Sequence, residues 1–185
     1  MVEKEIRFKI NDDIKRSVIQ SSELLQEKSL CIDLCMGKYG FDSLDKLGYI
    51  IRLRNQNGKT VMESKKRINE NEWHEYKIEL NDMKEGYNFL SNTGLTPYLY
   101  INRKREVRKI KQAKIFLDEI DLLGDYIEFE LEAGFKFSDL KQYIEENKIS
   151  GKPQKLYGDI FKEKLEEKEF KEEFEKRINE FLNIK

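Results

Sequence analysis

The sequence predicts an α+β domain in which antiparallel strands dominate and helices are fewer. Apolar and charged residues alternate from Val2 to Ile10, with Lys4 as the one exception, which is the period-two pattern of a half-buried strand. Two more alternating segments flank Asn55-Gln56-Asn57-Gly58, a stretch typical of a β-hairpin turn. Hydrophobic residues make up 38% of the 185-residue chain and aromatic residues 11%, so there is enough apolar side chain for one compact core.

The individual elements are predicted from residue spacing and from capping or turn residues. After Asn11 or Asp12 as a cap, the spacing of Ile14 and Val18 predicts an amphipathic helix over 11–28. The remaining strands are predicted at 48–55, 59–67, 73–80, 98–108, 112–121 and 125–132, with one further strand and a loop within 29–48. The remaining helices are predicted at 82–94, at 138–144 and from 161 through the tail. The tail helix is expected to serve packing or partner binding rather than catalysis.

The composition excludes several classes of protein. The 35 basic and 36 acidic residues nearly cancel, which excludes disorder driven by net charge and a strongly basic nucleic-acid tail. No apolar run reaches the ~18 residues of a membrane span, and the charged first residues lack a signal-peptide pattern, so we expect a cytoplasmic protein. Cys31 and Cys35 are too few for a disulfide framework and, with one His, too few for zinc. Any metal is expected to be a hard cation held by carboxylates.

The informative feature of the strands is which residues share a face. In the first strand, odd positions are charged and even positions include the apolar residues, so period-two geometry puts the four charges at odd positions on one side. Similar faces recur along the chain. The charged residues on these faces are Glu3, Glu5, Arg7 and Lys9, then Arg52 and Arg54, then Glu75, Lys77 and Glu79, then Arg103 and Arg105, and finally Glu128 and Glu130. Acids therefore cluster on some strands and arginines on others.

Two interpretations of these charged faces stay open. One is an ordinary sheet whose polar face meets water. The other is a closed barrel whose charged faces point inward and whose apolar faces are covered by helices. Such an interior has to hold water, counter-ions or a charged ligand, because unpaired buried charges are costly. Carboxylate pairs suit Mg²⁺ or Mn²⁺ and arginine forks suit phosphate oxygens, so a polyphosphate matches the second interpretation.

A series of motifs, in the same order, resembles the CYTH superfamily, whose members are also called triphosphate tunnel metalloenzymes. The motifs are EKEIR at 3–7, IIRLR at 50–54, MESK at 62–65, EYKIE at 75–79, RKR at 103–105 and LDEIDLLGDYIEFE at 117–130. The first is similar to the ExExK signature of the superfamily, and the last to the LDxxxxLGxFxExE stretch of its cyclase-like branch. The resemblance covers residues 2–145 and implies an eight-stranded antiparallel β tunnel with a charged interior and helices packed outside.

The sequence departs from the superfamily pattern at defined positions. Arg7 stands in place of the usual Lys, Lys77 in place of an acid, and Arg108 where many members have Tyr. Segment 29–48 lacks the common tyrosine-aspartate pattern, so the resemblance assigns no site residue there. His74 shares its strand face with Tyr76 rather than with Glu75, so we interpret it as non-catalytic.

The resemblance also implies a set of site residues. The implied metal ligands are Glu3, Glu5, Asp118, Glu128 and Glu130. The implied substrate ligands are Arg7, Lys9, Arg52, Arg54, Lys65, Arg103 and Arg105, and the implied catalytic residues are Glu5, Arg7 and Lys65. The alternatives are solvated surface carboxylates for the acids and internal salt bridges for the cations, although salt bridges can coexist with ligand binding.

The function implied is a Mg²⁺- or Mn²⁺-dependent phosphohydrolase acting on inorganic triphosphate, a nucleoside triphosphate or thiamine triphosphate. One alternative is a class IV-type adenylyl cyclase that makes cyclic AMP and pyrophosphate, and a second is a polyphosphate or nucleotide binding protein without turnover. The expected partner is this small-molecule triphosphate or nucleotide, with no nucleic acid and no membrane, and a homodimer stays open. Residues 1–160 would form the tunnel domain and residues 161–185 a C-terminal amphipathic helix on the same domain.

Overall fold

The computed structural model describes residues 2–69 and 72–183, with side chains from residue 4 onward. The strands are β1 Val2–Lys9, β2 Glu23–Gly37, β3 Tyr49–Gln56, β4 Lys59–Asn69, β5 Glu72–Leu80, β6 Thr96–Lys109, β7 Ala113–Ile120 and β8 Gly124–Leu131. The α-helices are α1 Asp12–Ser21, α2 Ser43–Leu47, α3 Met83–Asn92, α4 Lys141–Glu146, α5 Tyr157–Lys164 and α6 Lys168–Asn183. Short 3-10 turns lie at Gly40–Asp42 and Phe137–Leu140.

The strands form a closed barrel in the order β1-β5-β4-β3-β2-β6-β7-β8. The ladders between β2 and β3, β3 and β4, β6 and β7, and β7 and β8 are antiparallel. β1 pairs antiparallel with β8 through residues 5–9 and with β5 through residues 2–4. The predicted α+β fold with an eight-stranded antiparallel barrel is confirmed.

The predicted hairpin between β3 and β4 is confirmed, including the conformation of its turn residues. Asn57 and Gly58 have φ angles of 54° and 74°, which are left-handed values at both turn positions. A two-residue hairpin turn needs this conformation because it matches the right-handed twist of the flanking strands, and Asn and Gly adopt it at low cost. The turn therefore fixes the register in which Arg52 lies opposite Glu63.

The helix predicted over 11–28 is confirmed for α1 and wrong for residues 22–28. Ser22 is already extended, with φ −138° and ψ 154°, and the chain continues as β2. The last carbonyls of a helix need partners, and here the local hydroxyls of Ser21 and Ser22 and one distant side chain supply them. Arg108 donates from Nη2 to the carbonyl oxygens of Ile19 and Ser22, at 2.8 Å each. A residue from β6 thus helps to stabilise the end of α1, and local spacing could not reveal this contact.

The tail predicted as one helix from Phe161 forms two helices, α5 and α6. The Phe161 ring lies 5.7 Å from the Phe170 ring and 5.5 Å from the Phe174 ring, between centroids. In one continuous helix, residues 161 and 174 would stand about 20 Å apart along the axis. The break at residues 165–167 therefore lets α6 fold back and bury Phe161 and Phe174 together.

The chain forms two compact units. Unit 1 comprises the described residues within 1–30, 68–74 and 103–154. Its core joins the apolar faces of β1, β7 and β8 to residues of α1 and of segment 137–149. The core residues are Phe8, Ile10, Ile14, Val18, Ala113, Ile115, Leu117, Ile127, Phe129, Leu140 and Ile149. The helices of this unit thus cover the apolar strand faces, and the charged residues lie on the opposite faces.

Unit 2 comprises the described residues within 31–67, 75–102 and 155–185. Leu34, Met36 and Leu53 are fully buried in it. α3 packs closely on β3 because residue 86 is glycine: a Cβ there would come within 2.6 Å of Leu53 Cδ2. The Tyr100 ring stacks on the Phe181 ring of α6 at 4.8 Å between centroids, so the C-terminal helix belongs to the core of this unit.

No helix within the described ranges combines the length and the apolar character that crossing a membrane requires.

Candidate active site

Each unit carries a cluster of buried charges on the strand faces opposite its apolar core. The unit 1 cluster consists of Glu5, Arg7, Arg103, Arg105, Asp118 and Glu128. The ladders set its geometry, because Arg7 lies opposite Glu128 and Arg105 lies opposite Asp118. Directly opposed residues have Cβ atoms about 5 Å apart, so long side chains of opposite charge meet across the ladder.

The tightest pair in the unit 1 cluster joins Arg105 to Asp118. Arg105 donates from Nε to Oδ1 at 2.7 Å and from Nη2 to Oδ2 at 2.6 Å, a bidentate geometry. Its guanidinium carbon also lies 4.4 Å from the centroid of the Phe116 ring. Burial and the neighbouring charge of Arg103 would lower the pKa of Arg105, but Asp118 raises it above its ordinary value. Arg105 is therefore held as a permanent buried cation.

Arg7 connects two carboxylates of the same cluster. Its Nη2 lies 2.8 Å from Glu5 Oε1 and 2.9 Å from Glu128 Oε2. Arg103 Nε lies 3.8 Å from Asp118, and Arg105 Nη2 lies 3.6 Å from Glu128. The three arginines and three acids of the unit 1 cluster thus form one connected ion-pair network.

The unit 2 cluster consists of Asp33, Arg52, Arg54, Glu63, Lys65, Glu75 and Lys77. Arg54 donates from Nε to Asp33 Oδ1 at 2.7 Å and from Nη2 to Oδ2 at 3.0 Å. Arg52 donates from Nε to Glu63 Oε2 at 2.6 Å and places Nη1 3.5 Å from Asp33 Oδ2. Both arginines of β3 therefore hold acids that neighbouring strands place opposite them.

Glu63 is the electrostatic centre of the unit 2 cluster. Burial would raise the pKa of Glu63, but the charges of Arg52 and Arg54 outweigh burial and lower it to about 2. Arg54 Nη1 lies 3.7 Å from Glu63 Oε1, and Lys77 Nζ lies 3.5 Å from the same oxygen. Glu63 is consequently an anion at any physiological pH.

The last acid of the unit 2 cluster, Glu75, contacts three cations. Lys77 Nζ lies 2.6 Å from Oε2, Lys65 Nζ lies 3.5 Å from Oε1, and Arg52 Nη2 lies 3.9 Å from Oε1. Glu75 is nearly buried, with 5% of its side chain exposed. Its charge is thus neutralised almost entirely by protein cations.

The structure brings together most of the cations and acids that the sequence singles out. The unit 1 cluster contains Glu5, Arg7, Arg103, Arg105, Asp118 and Glu128, and the unit 2 cluster contains Arg52, Arg54 and Lys65. Lys9 is exposed, with Nζ 5.9 Å from the centroid of the Tyr126 ring, and Glu130 lies 3.5 Å from Lys114 Nζ. The side chain of Glu3, also predicted as a metal ligand, lies outside the described residues.

Sequence reasoning did not select Asp33, Glu63 or Glu75 as site residues. Asp33 lies between Cys31 and Cys35 on its strand face. Because these two neighbours are uncharged, the sequence shows no run of charged residues on that face. Glu63 shares a face with Lys65 at a spacing of two, and that spacing is the signal that could have found it. Full burial of Asp33 and Glu63 depends on Arg54 and Arg52, which the register of β3 places opposite them.

The carboxylates of unit 1 are oxygen donors of the kind that a hard divalent metal prefers. Glu5 lies opposite Glu130, and Glu128 lies two residues away on the same face of β8. Among the side chains that the structure describes, no three acidic, His or Cys groups converge closely enough to form a metal cage. Mg²⁺ usually takes only one or two carboxylates and completes its shell with water and substrate phosphates. One or two carboxylates from among Glu5, Glu128 and Glu130 fit such an open site, whereas both oxygens of Asp118 accept hydrogen bonds from Arg105.

Solved structures share the fold of this chain. The PH1819 protein from Pyrococcus horikoshii OT3 has a TM-score of 0.73 and 23% identity, over 88% of this chain and 99% of that chain. A candidate adenylate cyclase from Vibrio parahaemolyticus has a TM-score of 0.69 and 17% identity, over 88% of this chain and 98% of that chain. HpAC1 from Hippeastrum, a candidate adenylyl cyclase with a described dominant triphosphatase activity, has a TM-score of 0.61 and 18% identity, over 82% of this chain and 91% of that chain.

Sequence comparisons identify the family. No curated protein sequence matches the chain significantly. The family model of the CYTH domain matches residues 37–157, which is more than half of the chain. This range contains β3 to β8 and every member of the unit 2 cluster except Asp33. The chain therefore belongs to the CYTH domain family.

Proposed function

We propose that the protein is a metal-dependent phosphohydrolase acting on a triphosphate-bearing substrate: inorganic triphosphate, a nucleoside triphosphate or thiamine triphosphate. The observation that carries the proposal is the set of buried arginines paired with carboxylates in each cluster. Membership of the CYTH family and the triphosphatase activity described for HpAC1 support the same class of reaction.

The arginines match the chemistry of a polyphosphate. A guanidinium presents five N–H donors in a planar fork, so it can hold a carboxylate along one edge and a phosphate oxygen along another. Arg54 and Arg105 are already oriented by bidentate carboxylates, which reduces the entropy lost when a phosphate binds. Phosphoryl transfer depends mainly on positioning and charge neutralisation, and oriented buried cations supply both.

Glu5, Glu128 and Glu130 are the residues that would hold Mg²⁺ or Mn²⁺. A bound divalent cation would neutralise charge on the phosphoryl oxygens and lower the pKa of a bound water. The like charges of Glu5 and Glu130 lie directly opposite each other in the ladder, which is unfavourable without a cation between them. Arg7 offsets part of this repulsion through Glu5 and Glu128.

The reaction proposed is attack of water on the terminal phosphorus. A new P–O bond forms, the bond to the bridging oxygen breaks, and orthophosphate is released. Glu5 is suited to accept the water proton, because it is a carboxylate of which 11% of the side chain reaches solvent. Within unit 2, Lys65 offers an ammonium charge that suits a phosphate oxygen.

Phosphate release tests the proposed function directly. The purified protein is incubated with tripolyphosphate, ATP, GTP or thiamine triphosphate, with Mg²⁺, with Mn²⁺ or with a chelator. We expect metal-dependent release of orthophosphate from at least one of them. Lack of release from all four substrates, in the presence of either metal, would contradict the proposal.

Adenylyl cyclase activity is the second candidate. The likeness to the Vibrio parahaemolyticus protein and the LGDYIEFE stretch at 123–130 favour it. This reaction needs the same cations, but the ribose 3′-hydroxyl attacks the α-phosphate and pyrophosphate leaves. Chromatography of the products from ATP separates the two candidates, since cyclic AMP with pyrophosphate indicates a cyclase and ADP with orthophosphate indicates a hydrolase.

A further inference from the structure

Lys77 differs from the other cations of the unit 2 cluster in its exposure. Its side chain is 48% exposed, whereas those of Arg52 and Arg54 are 14% exposed and that of Lys65 is 10% exposed. Its Nζ nevertheless contacts both Glu75 and Glu63. Lys77 thus reaches from the solvent side into a buried network.

The acids that Lys77 contacts keep other cations if it moves away. Glu75 would retain Lys65 and Arg52, at 3.5 and 3.9 Å. Glu63 would retain the hydrogen bond from Arg52 and the nearby charge of Arg54. Displacing Lys77 therefore leaves neither buried carboxylate without a counter-charge, which is the condition that makes breaking a buried ion pair costly.

The arginines of the unit 2 cluster differ from Lys77, because each is the main partner of a buried acid. Arg54 engages both oxygens of Asp33, whose side chain has no exposed surface. Arg52 holds Glu63, whose side chain is 1% exposed. Moving either guanidinium fully onto a ligand would remove the main partner of a buried acid. The arginines are thus suited to bind an anion in place rather than to travel to it.

We infer that Lys77 is the exchangeable cation of this cluster: it leaves Glu75 and Glu63 and binds a phosphate oxygen of the incoming triphosphate. The inference rests on the proposed function for the class of ligand and adds a binding residue to it. A lysine ammonium is a compact charge on a flexible four-carbon stem, so it can swing between partners where a bidentate guanidinium cannot. Exchange of one partner for another keeps Lys77 paired in both states.

Lys77→Met tests this inference, because Met is of similar length and lacks the charge. The matched control is Lys66→Met on β4, which removes the same charge from an exposed residue on the opposite strand face. Titration calorimetry with tripolyphosphate, without metal, should show roughly tenfold weaker binding for Lys77→Met, the scale of one charge-assisted contact. Lys66→Met should bind like the unmodified protein, and Lys77→Arg should recover only part of the loss, because arginine restores the charge but leaves the two carboxylates less readily.

Salt dependence supplies a second readout that a structural role would not change. Each phosphate contact made by a cation adds to the slope of binding against salt concentration, so the slope should be shallower for Lys77→Met than for Lys66→Met. Thermal melting without ligand should be nearly the same for both variants, because Glu63 and Glu75 keep other cations. If the Lys77→Met protein melts much earlier, Lys77 is a structural ion-pair partner and the inference fails.

The outcomes separate this inference from the proposed function. Binding that depends on Lys77 without phosphate release would overturn the hydrolase proposal and support Lys77 as a ligand. Phosphate release and binding that are the same for Lys77→Met and Lys66→Met would overturn the inference and leave the hydrolase proposal standing. Absence of tripolyphosphate binding to the unmodified protein would overturn the inference as well.

Discussion

Arg54 donates to both carboxylate oxygens of Asp33, although the two residues are 21 positions apart in the chain. Asp33 is fully buried, so water cannot replace the bonds that Arg54 supplies. The burial of each residue thus depends on the opposite charge of the other. The pair fixes one edge of the Arg54 guanidinium and leaves its orientation independent of any ligand.

Asp33→Asn should destabilise the protein strongly. The substitution leaves the mostly buried guanidinium of Arg54 without its bidentate acid, and breaking one partner of such a pair costs about 3 kcal/mol or more. Urea denaturation followed by circular dichroism measures the loss in the free energy of unfolding. Asp42→Asn is the control, because its partner Lys162 and Asp42 itself are about half exposed and that pair should contribute little. Equal losses for the two variants would show that Asp33 is not the anchor of Arg54.

Stability should fall in acid through Glu63. Arg52 and Arg54 lower the pKa of Glu63 from 4.5 to about 2 in the folded protein. A carboxyl with a depressed folded-state pKa stabilises the fold above its unfolded pKa, and this contribution is lost as the pH falls towards the folded pKa. The free-energy difference between the unmodified protein and Glu63→Gln should therefore shrink between pH 4.5 and pH 2. A difference that is constant across this range would mean that the Glu63 charge is not favoured by folding.

Glu130→Gln should weaken metal binding without removing anion binding. The change removes one anionic oxygen donor from the set proposed to hold the metal, and we expect Mn²⁺ affinity to fall by about tenfold, or roughly 1.4 kcal/mol. Binding of tripolyphosphate without metal should persist or rise, because a negative charge is gone. Calorimetric titration of each ligand measures both effects, with Glu146→Gln on exposed α4 as the control. Unchanged Mn²⁺ affinity would exclude Glu130 as a ligand.

Arg105→Lys should weaken triphosphate binding while the protein stays folded. Lysine keeps a positive charge beside Asp118 but loses the bidentate fork, so we expect tripolyphosphate affinity to fall by about tenfold and Mn²⁺ affinity to change little. Lys104→Ala, on the opposite face of β6, is the control and should bind normally. If the Glu130 and Arg105 variants lose the same ligand to the same degree, the division into metal and phosphate residues is wrong.

The strand faces could be predicted from the sequence because alternation is a local property. A period of two within β1, β3, β6 and β8 is enough to show that Arg52 and Arg54, or Glu128 and Glu130, share a side. Local order also predicts the turn at Asn57-Gly58, since the backbone conformation is a property of those two residues. Features that depend only on residues within one strand or one turn can thus be predicted from the sequence.

The partners of these charges could not be predicted, because register is a relation between strands. Which acid faces Arg54 depends on the alignment of β2 with β3, and Asp33 occupies that position only in this register. The same limitation explains the error over residues 22–28. Leu25 has helical spacing with Val18 yet remains exposed, so its apolar character does not decide the conformation of the segment.

The contact between Arg108 and the end of α1 has a consequence for synthesis on the ribosome. When residues 22–28 leave the exit tunnel, Arg108 and β6 have not yet been polymerised and β3 is still inside the tunnel, although β3 and β6 are the strands on either side of β2 in the barrel. During that interval we expect the segment to be free to continue α1 as helix, as its own spacing favours. Conversion to strand would wait until Arg108 has itself left the exit tunnel and can bind the Ile19 and Ser22 carbonyls. The first half of β2 is therefore expected to reach its final conformation only late in synthesis.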